Sequence, residues 1–395
     1  MLGCMRYGRN YNICYFAKTN FRNQKDTFGI LLDDRLYSLY IIGKTGTGKS
    51  TLLLNKIQQD IEAGRGVCCI DVHELIPKIL QHIPEYRKKD IIHLDASDTN
   101  LSVGYNPLKR VSFERRALIT ANILETFERL WGSQSYGVKM AHLLRNIILT
   151  LLDQAHATLA DILRILQEKE YREECRKNVK NPYVKRFWDQ EFRHYEGKSD
   201  LIPIYNKIGA LLSYPSVKRI FIDSKKQLSL RKIIDEQKVL LVSIPKGSIG
   251  SEPAYIIGSL LLTSLAGAFF TRFDIPEHKR TPFFVYLDEF HNYTNRTLVE
   301  MLSELRKVGA GFIMAHQYIS QLDPKIRDAV LGNVGSIICF RLGQADAKIM
   351  EREFFPIFKT EDFINLANHD IYLKMMIQGK VSRAFSAQTL PRHHF

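Results

Sequence analysis

The stretch that most constrains the fold is LYIIGKTGTGKST, residues 39 to 51. An apolar run stops at Gly43, Gly46 and Gly48 follow, and Lys49, Ser50 and Thr51 open a segment whose apolar residues recur at helical spacing. A buried strand must therefore turn through a glycine-rich loop straight into a helix. Glycine lets the backbone curl until successive N–H groups point inward, and the first helical turn adds unpaired N–H groups and the positive end of its dipole. In that strand-and-helix setting G-x-x-x-x-G-K-[ST] is a phosphate-binding pattern. Gly43, Lys44, Thr45, Gly46, Thr47, Gly48, Lys49, Ser50 and Thr51 are assigned to ATP. Lys49 is placed to reach the β- and γ-phosphates and the Ser50 hydroxyl to ligate Mg²⁺.

The rest of the chain supplies a frame for this loop. A helix over 49–62, a strand over 67–70 ending on Asp71, a helical stretch over 74–83 and a strand over 90–95 come first. From about 113 to 235 almost only helical periodicity is found. Strands then return at 238–244, 282–288, 311–315 and 336–340, with helices at 254–270, 297–308, 324–331 and 344–353 between or after them. A strand pair at 371–376 and 381–386 closes the chain, and 391 onward reads as a frayed tail. Such alternation specifies an α/β fold, a mostly parallel, doubly wound sheet interrupted by an inserted all-α domain. The expected division is 1–112 for a lead-in and the first part of the sheet domain, 113–235 for the insert, and 236–395 for the second part. Within the first part, 1–38 reads as a small β-structured lead-in.

Composition narrows the partners. Of 395 residues 45% are apolar and 25% charged, which is globular, and the net charge of +14 points to nucleic acid first and a membrane surface second. The most basic stretch, 172–186, has Tyr183 within it and Trp188 beside it; it reads either as part of a nucleic-acid surface or as a solvated helix face. Six cysteines lack Cys-x-x-Cys or zinc-finger spacing, and Cys68 and Cys69 fall inside an apolar strand, as core packing in a reducing cytoplasm requires. No zinc site is expected. The longest apolar-rich run, 255–270, falls short of a membrane span and reads as a helix buried on the sheet, so no transmembrane segment is expected.

Phosphate chemistry needs more than a loop. Residues 283–287 are apolar and end in Asp288-Glu289. On a strand adjacent to the phosphate-loop strand, Asp288 would hold Mg²⁺ and Glu289 would act as general base on water. Gln317, after the next strand, can orient that water and sense the γ-phosphate, or simply cap a strand end. Arg306 lies too far along its helix for its own site and could enter a neighbour's as an arginine finger; Arg341 is the competing candidate, and a surface salt bridge is the alternative for both. His73 could sense nucleotide or be structural.

Taken together, AKTNFRNQKDTFGI (17–30), YIIGKTGTGKST, DVHELIPKILQHIPEYRKKDIIHLD (71–95), GYNPL (104–108), FFVYLDEFHNY (283–293), ELRKVGAGFIMAHQYISQL (304–322) and NVGSIICFRLGQADA (333–347) resemble a known family. They look like the nucleotide-binding module of type IV secretion and conjugation coupling proteins, in the HerA and FtsK clan of DNA motors. The resemblance covers most of the chain, the helical insert matching in position and character more than in residues. It implies a RecA-like fold, a homohexameric ring, ATP between subunits and DNA in the central channel. It carries the nucleotide lysine to Lys49, the Walker B pair to Asp288 and Glu289, the glutamine to Gln317 and the finger to Arg306. Two departures stand out. Relatives usually read Asp-Pro-His-Gly-[Asp/Glu] where this chain has Asp71-Val72-His73-Glu74-Leu75, and they commonly carry an N-terminal membrane anchor not found here. Attachment to the inner membrane is therefore expected through a secretion-machine or anchor partner.

The expected function is a cytoplasmic ATPase that moves DNA through a hexameric ring. The rivals are an ATPase driving protein export or assembly of a secretion machine, a HerA-like repair or defence translocase, and a nucleotide-gated scaffold without turnover.

Overall fold

The computed structural model describes residues 11–109, 111–195, 199–293 and 302–392. Among them, one 11-stranded sheet organises the chain. Its first strands are β1 Ile13–Thr19, β2 Thr27–Leu31, β3 Leu39–Ile42, β4 Gly66–Asp71 and β5 Ile91–Asp95. Beyond the helical segment come β6 Val239–Ser243, β7 Phe283–Asp288, β8 Ala310–His316, β9 Ser336–Cys339, β10 Asp370–Lys374 and β11 Phe385–Thr389. The order across the sheet is β2-β1-β11-β10-β9-β3-β8-β7-β4-β6-β5. From β9 to β5 every pairing is parallel, so these strands end on one edge; from β9 to β2 the pairings are antiparallel.

The parallel part is buried on both faces because its residues alternate between two apolar cores. On one side α1 (Lys49–Glu62) and α2 (Leu75–Leu80) set Leu52, Leu53, Ile57, Ile61 and Ile76 against Leu39, Ile41, Cys69 and Tyr286. Each such aliphatic side chain contributes about 2 kcal/mol by leaving water. The other side takes Tyr40, Ile42, Cys68 and Val285. The adjacent cysteines thus serve opposite cores, and burial pushes both thiols above their usual range.

That second side carries the helical segment: α3 Phe113–Trp131, α4 Val138–Leu151, α5 Asp161–Gln167, α6 Lys169–Lys177 and α7 Ile202–Ser213. Its core is continuous with the core beneath the sheet. A parallel pairing of Val103–Gly104 with Lys226–Gln227 closes its neck. The chain then returns to the sheet through α8 (Leu230–Asp235) and α9 (Ser251–Phe270), with α10 (Pro324–Asn333) and α11 (Gln344–Phe354) on the same side.

Five expectations are adjusted. The Walker B strand β7 is not adjacent to β3, because β8 pairs with both and lies between them. The residues of the lead-in from Ile13 join the main sheet, since β11 offers β1 a free edge. The last strand runs from Phe385 to Thr389, later than expected: Gln378 and Gly379, both at positive φ, form a tight turn that spends 376–381 on a short hairpin. Of the helix expected over 297–308, residues 297–301 lie outside the described residues; 302–305 are helical and Arg306–Val308 form a tighter turn. Finally, α9 with the turn after it, Ser251–Asp274, is by length and composition able to cross a membrane, longer than the run seen in sequence. Two thirds of its most apolar window is nevertheless buried, 67%, and Tyr293 sits so close that a Cβ on Gly258 would lie 2.7 Å from it.

Candidate nucleotide site

The loop between β3 and α1 lies at the carboxyl edge of the parallel strands, where open α/β sheets form crevices. Gly46 and Gly48 adopt φ of +79° and +123°, conformations that a side chain would strain. Gly48 is constrained twice, since a Cβ there would meet His369 Nδ1 at 2.8 Å. Thr47 Oγ1 donates to the Lys44 carbonyl at 2.7 Å, and Lys44 N–H donates to the Arg341 carbonyl at 2.9 Å, so the loop is tied internally and to the end of β9. Lys49 Nζ donates to the carbonyls of Gly43 and Lys44, the latter at 3.0 Å. Burial lowers the affinity of this amine for its proton, and Glu289 and Asp288 oppose that shift. Ser50 is exposed at the mouth of the cleft.

Across the cleft, β7 delivers Asp288 and Glu289, both buried. Burial is the main cause that pushes Asp288 up to about 7, helped by the Asp71 and Glu289 carboxylates and opposed by Lys49. Glu289 holds a left-handed backbone, φ +51°, rarely tolerated by a non-glycine residue outside functional sites. Its Oε1 accepts from Gln317 Nε2 at 2.7 Å, while Oε2, near His291 Nδ1 at 3.5 Å, accepts no hydrogen bond among the described residues. The same Gln317 accepts from Thr45 Oγ1 at 2.9 Å. One amide thus joins the phosphate loop to the carboxylate, and β8 can place it there because it runs between β3 and β7.

Asp71 does different work. Its carboxylate accepts from the N–H groups of His73 at 3.0 Å and Leu75 at 2.7 Å, closing the Asp71-Val72-His73-Glu74-Leu75 loop without the proline and glycine of relatives. His73 lines the cleft, whose volume is about 770 Å³, together with Lys49, Asp288, Glu289, Gln317 and His369. Asp288 and Glu289 line one end of this space, and Asp71, outside the lining, adds with Glu289 to the burial that raises the Asp288 pKa to about 7. That donor set suits a divalent cation, with Asp288 and the Ser50 hydroxyl as the groups to hold Mg²⁺.

Neither candidate finger reaches the cleft alone. Arg306 is exposed at the amino end of β8, the opposite edge of the sheet, with its guanidinium 3.8 Å from the Tyr37 ring centroid. Arg341 donates to the Leu366 carbonyl at 3.2 Å and to Asn368 Oδ1 at 2.9 Å, bracing the loop before β10. In the basic stretch, Arg172 is buried and donates to the Ile165 carbonyl, Arg176 pairs with Glu173 and Asp189, and the Trp188 indole donates to Thr150. Tyr183, Lys185 and Arg186 remain exposed.

Sequence reasoning passed over His369, His291 and His316. His316, fully buried, contacts the Tyr40 hydroxyl through Nε2 beneath the site. It precedes Gln317, but only the tertiary fold shows that its ring turns inward.

This sheet, with its loop, acid pair, strand-end amide and helical insertion, defines a RecA-like P-loop NTPase fold. More particularly, it is the fold of conjugative coupling proteins and VirB4. The bacterial conjugative coupling protein TrwBdeltaN70 superposes with a TM-score of 0.68 at 13% identity, over 93% of this chain and 87% of that one. The plasmid coupling protein TrwB in complex with ADP and Mg²⁺ gives 0.66 at 12% identity, over 93% and 88%. VirB4 of Thermoanaerobacter pseudethanolicus gives 0.65 at 12% identity, over 98% of each chain. No family model and no curated protein matches the sequence. The fold implied by the family resemblance is therefore the one observed.

Proposed function

We propose that the chain is an ATP-hydrolysing motor that moves DNA through a homohexameric ring. The observation that supports this best is the Thr45–Gln317–Glu289 chain of hydrogen bonds opposite Lys49, since it sets a base and a water-orienting amide against a phosphate-binding loop. The backbone N–H groups of the loop cradle the phosphates, and Lys49 exchanges its carbonyl partners for β- and γ-phosphate oxygens. Glu289 takes a proton from the attacking water, which Gln317 orients. Ser50 and Asp288 would hold Mg²⁺, which would supply charge neutralisation at the phosphates. Arg306, exposed on another edge, completes a neighbouring subunit's site. The net charge of +14 favours contact with the phosphates of DNA, which is weakly sequence-specific and salt-sensitive. The reading places the protein in the cytoplasm, with any membrane attachment through a partner.

The test is steady-state ATP hydrolysis with and without DNA at low and moderate salt. Several-fold stimulation by DNA that fades as salt rises is the expected result. Hydrolysis indifferent to DNA would move the reading to protein export or machine assembly. Sequence-selective DNA binding without turnover, unaffected by Lys49→Ala, would sink it.

A further inference from the structure

Of the groups assigned so far to the phosphates, the two acids and the amide lie on one side of the loop. Gln317, Asp288 and Glu289 come from β8 and β7, on one flank of β3. A triphosphate with its γ end among them would cross the loop and leave its nucleoside end on the other flank, toward β9 and β10. Because β10 is antiparallel to β9, the residue before it, His369, lies at the same edge of the sheet as the loop.

His369 is held there with unusual firmness. Its N–H donates to the Thr47 carbonyl at 2.9 Å, and its carbonyl accepts from Thr389 N–H at 2.8 Å and Thr389 Oγ1 at 3.2 Å. Its φ is +70°, a left-handed backbone that costs a non-glycine residue energy and persists where the surroundings enforce it. Arg341 fixes the preceding residues through Leu366 and Asn368. The imidazole lies against Gly48, where an added Cβ would be 2.8 Å from Nδ1, yet the residue is exposed and lines the cleft. Among the described residues the ring makes no hydrogen bond or ion pair. The backbone of His369 is thus pinned at the rim of the phosphate loop, and its ring lies against Gly48 where the residue lines the cleft.

We infer that His369 is the nucleobase-contacting residue of this site, stacking its imidazole on the purine of the bound triphosphate. This rests on the ATPase reading above and adds the recognition of the base. Stacking reads a face that every base possesses, so it gives affinity with little discrimination between adenine and guanine.

The experiment is calorimetric titration of the full chain with a non-hydrolysable ATP analogue and, separately, with inorganic tripolyphosphate, both with Mg²⁺. His369→Asn removes the ring and keeps a residue that tolerates positive φ; His369→Phe keeps a ring. The expected result is a loss of about tenfold in affinity for the analogue in His369→Asn, no change for tripolyphosphate, and affinity within about threefold of wild type in His369→Phe. Equal losses for both ligands would reduce His369 to a support of the loop and overturn the inference, as would unchanged affinity for both. Wild-type protein that binds neither ligand would overturn the ATPase reading together with it. Thermal melts of both variants separate a folding defect from a lost contact.

Discussion

Gln317 holds Glu289 by its nitrogen, 2.7 Å from Oε1, while its oxygen accepts from the hydroxyl of Thr45. On the proposed reading, the base is thereby positioned by the loop that would feel the γ-phosphate. If the amide acts on water and base rather than on ground-state binding, as proposed, Gln317→Ala should lower kcat by about 10²-fold with KM for ATP within a few-fold. Glu289→Gln should lower kcat at least as much, and the double variant should lose little more than the worse single one. Additive losses in steady-state kinetics would show that the two side chains act separately.

Near the carboxyl end of α1, away from the loop, Asp60 accepts from both Nη atoms of Arg35, at 2.7 and 2.6 Å, from the Tyr286 hydroxyl at 2.6 Å and from Arg65 at 2.9 Å. Burial alone would raise the Asp60 pKa; Arg35 and the other donors outweigh it and hold it below the usual range. Asp60→Ala strands the buried Arg35 cation and should cost about 3–5 kcal/mol in urea unfolding. Replacing Arg35 by Met in the same chain should recover part of that loss, and a double variant no better than Asp60→Ala would refute the pairing as its cause.

His316 makes stability depend on pH. Burial first, then His291 and Lys49, lowers its pKa to about 3 in the folded chain, below the ordinary 6.5 of an unfolded one. The unfolded state therefore binds the proton more readily. Stability present above pH 6.5 is lost as pH falls toward 3, with roughly 1.5 kcal/mol gone between pH 6.5 and 5 from this residue. Urea midpoints at pH 7.5, 6.5 and 5.5 should fall more steeply in wild type than in His316→Gln. Parallel curves would mean that His316 binds its proton equally well in the folded and unfolded states.

Arg306 and Lys49 offer a test of the ring. If Arg306 serves a neighbour, Lys49→Ala and Arg306→Ala are each inactive alone, but mixed rings contain interfaces with an intact site and an intact finger. An equal mixture should regain about a quarter of wild-type turnover. No recovery in mixed, reassembled protein would confine Arg306 to its own subunit.

Much of this was legible in the residues. The run LYII, the loop and α1 were readable because a buried parallel strand is continuously apolar and a phosphate loop needs glycine at fixed spacing. The Asp288-Glu289 pair announced itself by ending such a run. What sequence could not show was lateral order: nothing local in 310–316 says that this strand lies between β3 and β7, and the wedge explains how Gln317 meets both partners. His369 escaped for a related reason, since its setting is made by Thr47, Gly48 and Thr389, all distant in sequence. The sheet's outer edge was hidden too, because strand pairing between 17–19 and 387–389 joins the two ends of the chain.

Strand β8 has Arg306–Val308 just before its first residue and Gln317 just after its last. Its seven residues span about 23 Å and are hydrogen-bonded on both sides. If Gln317 senses the γ-phosphate and Arg306 serves a neighbouring subunit, as proposed, one strand held on both sides joins the two, and its stiffness would couple one site to the next.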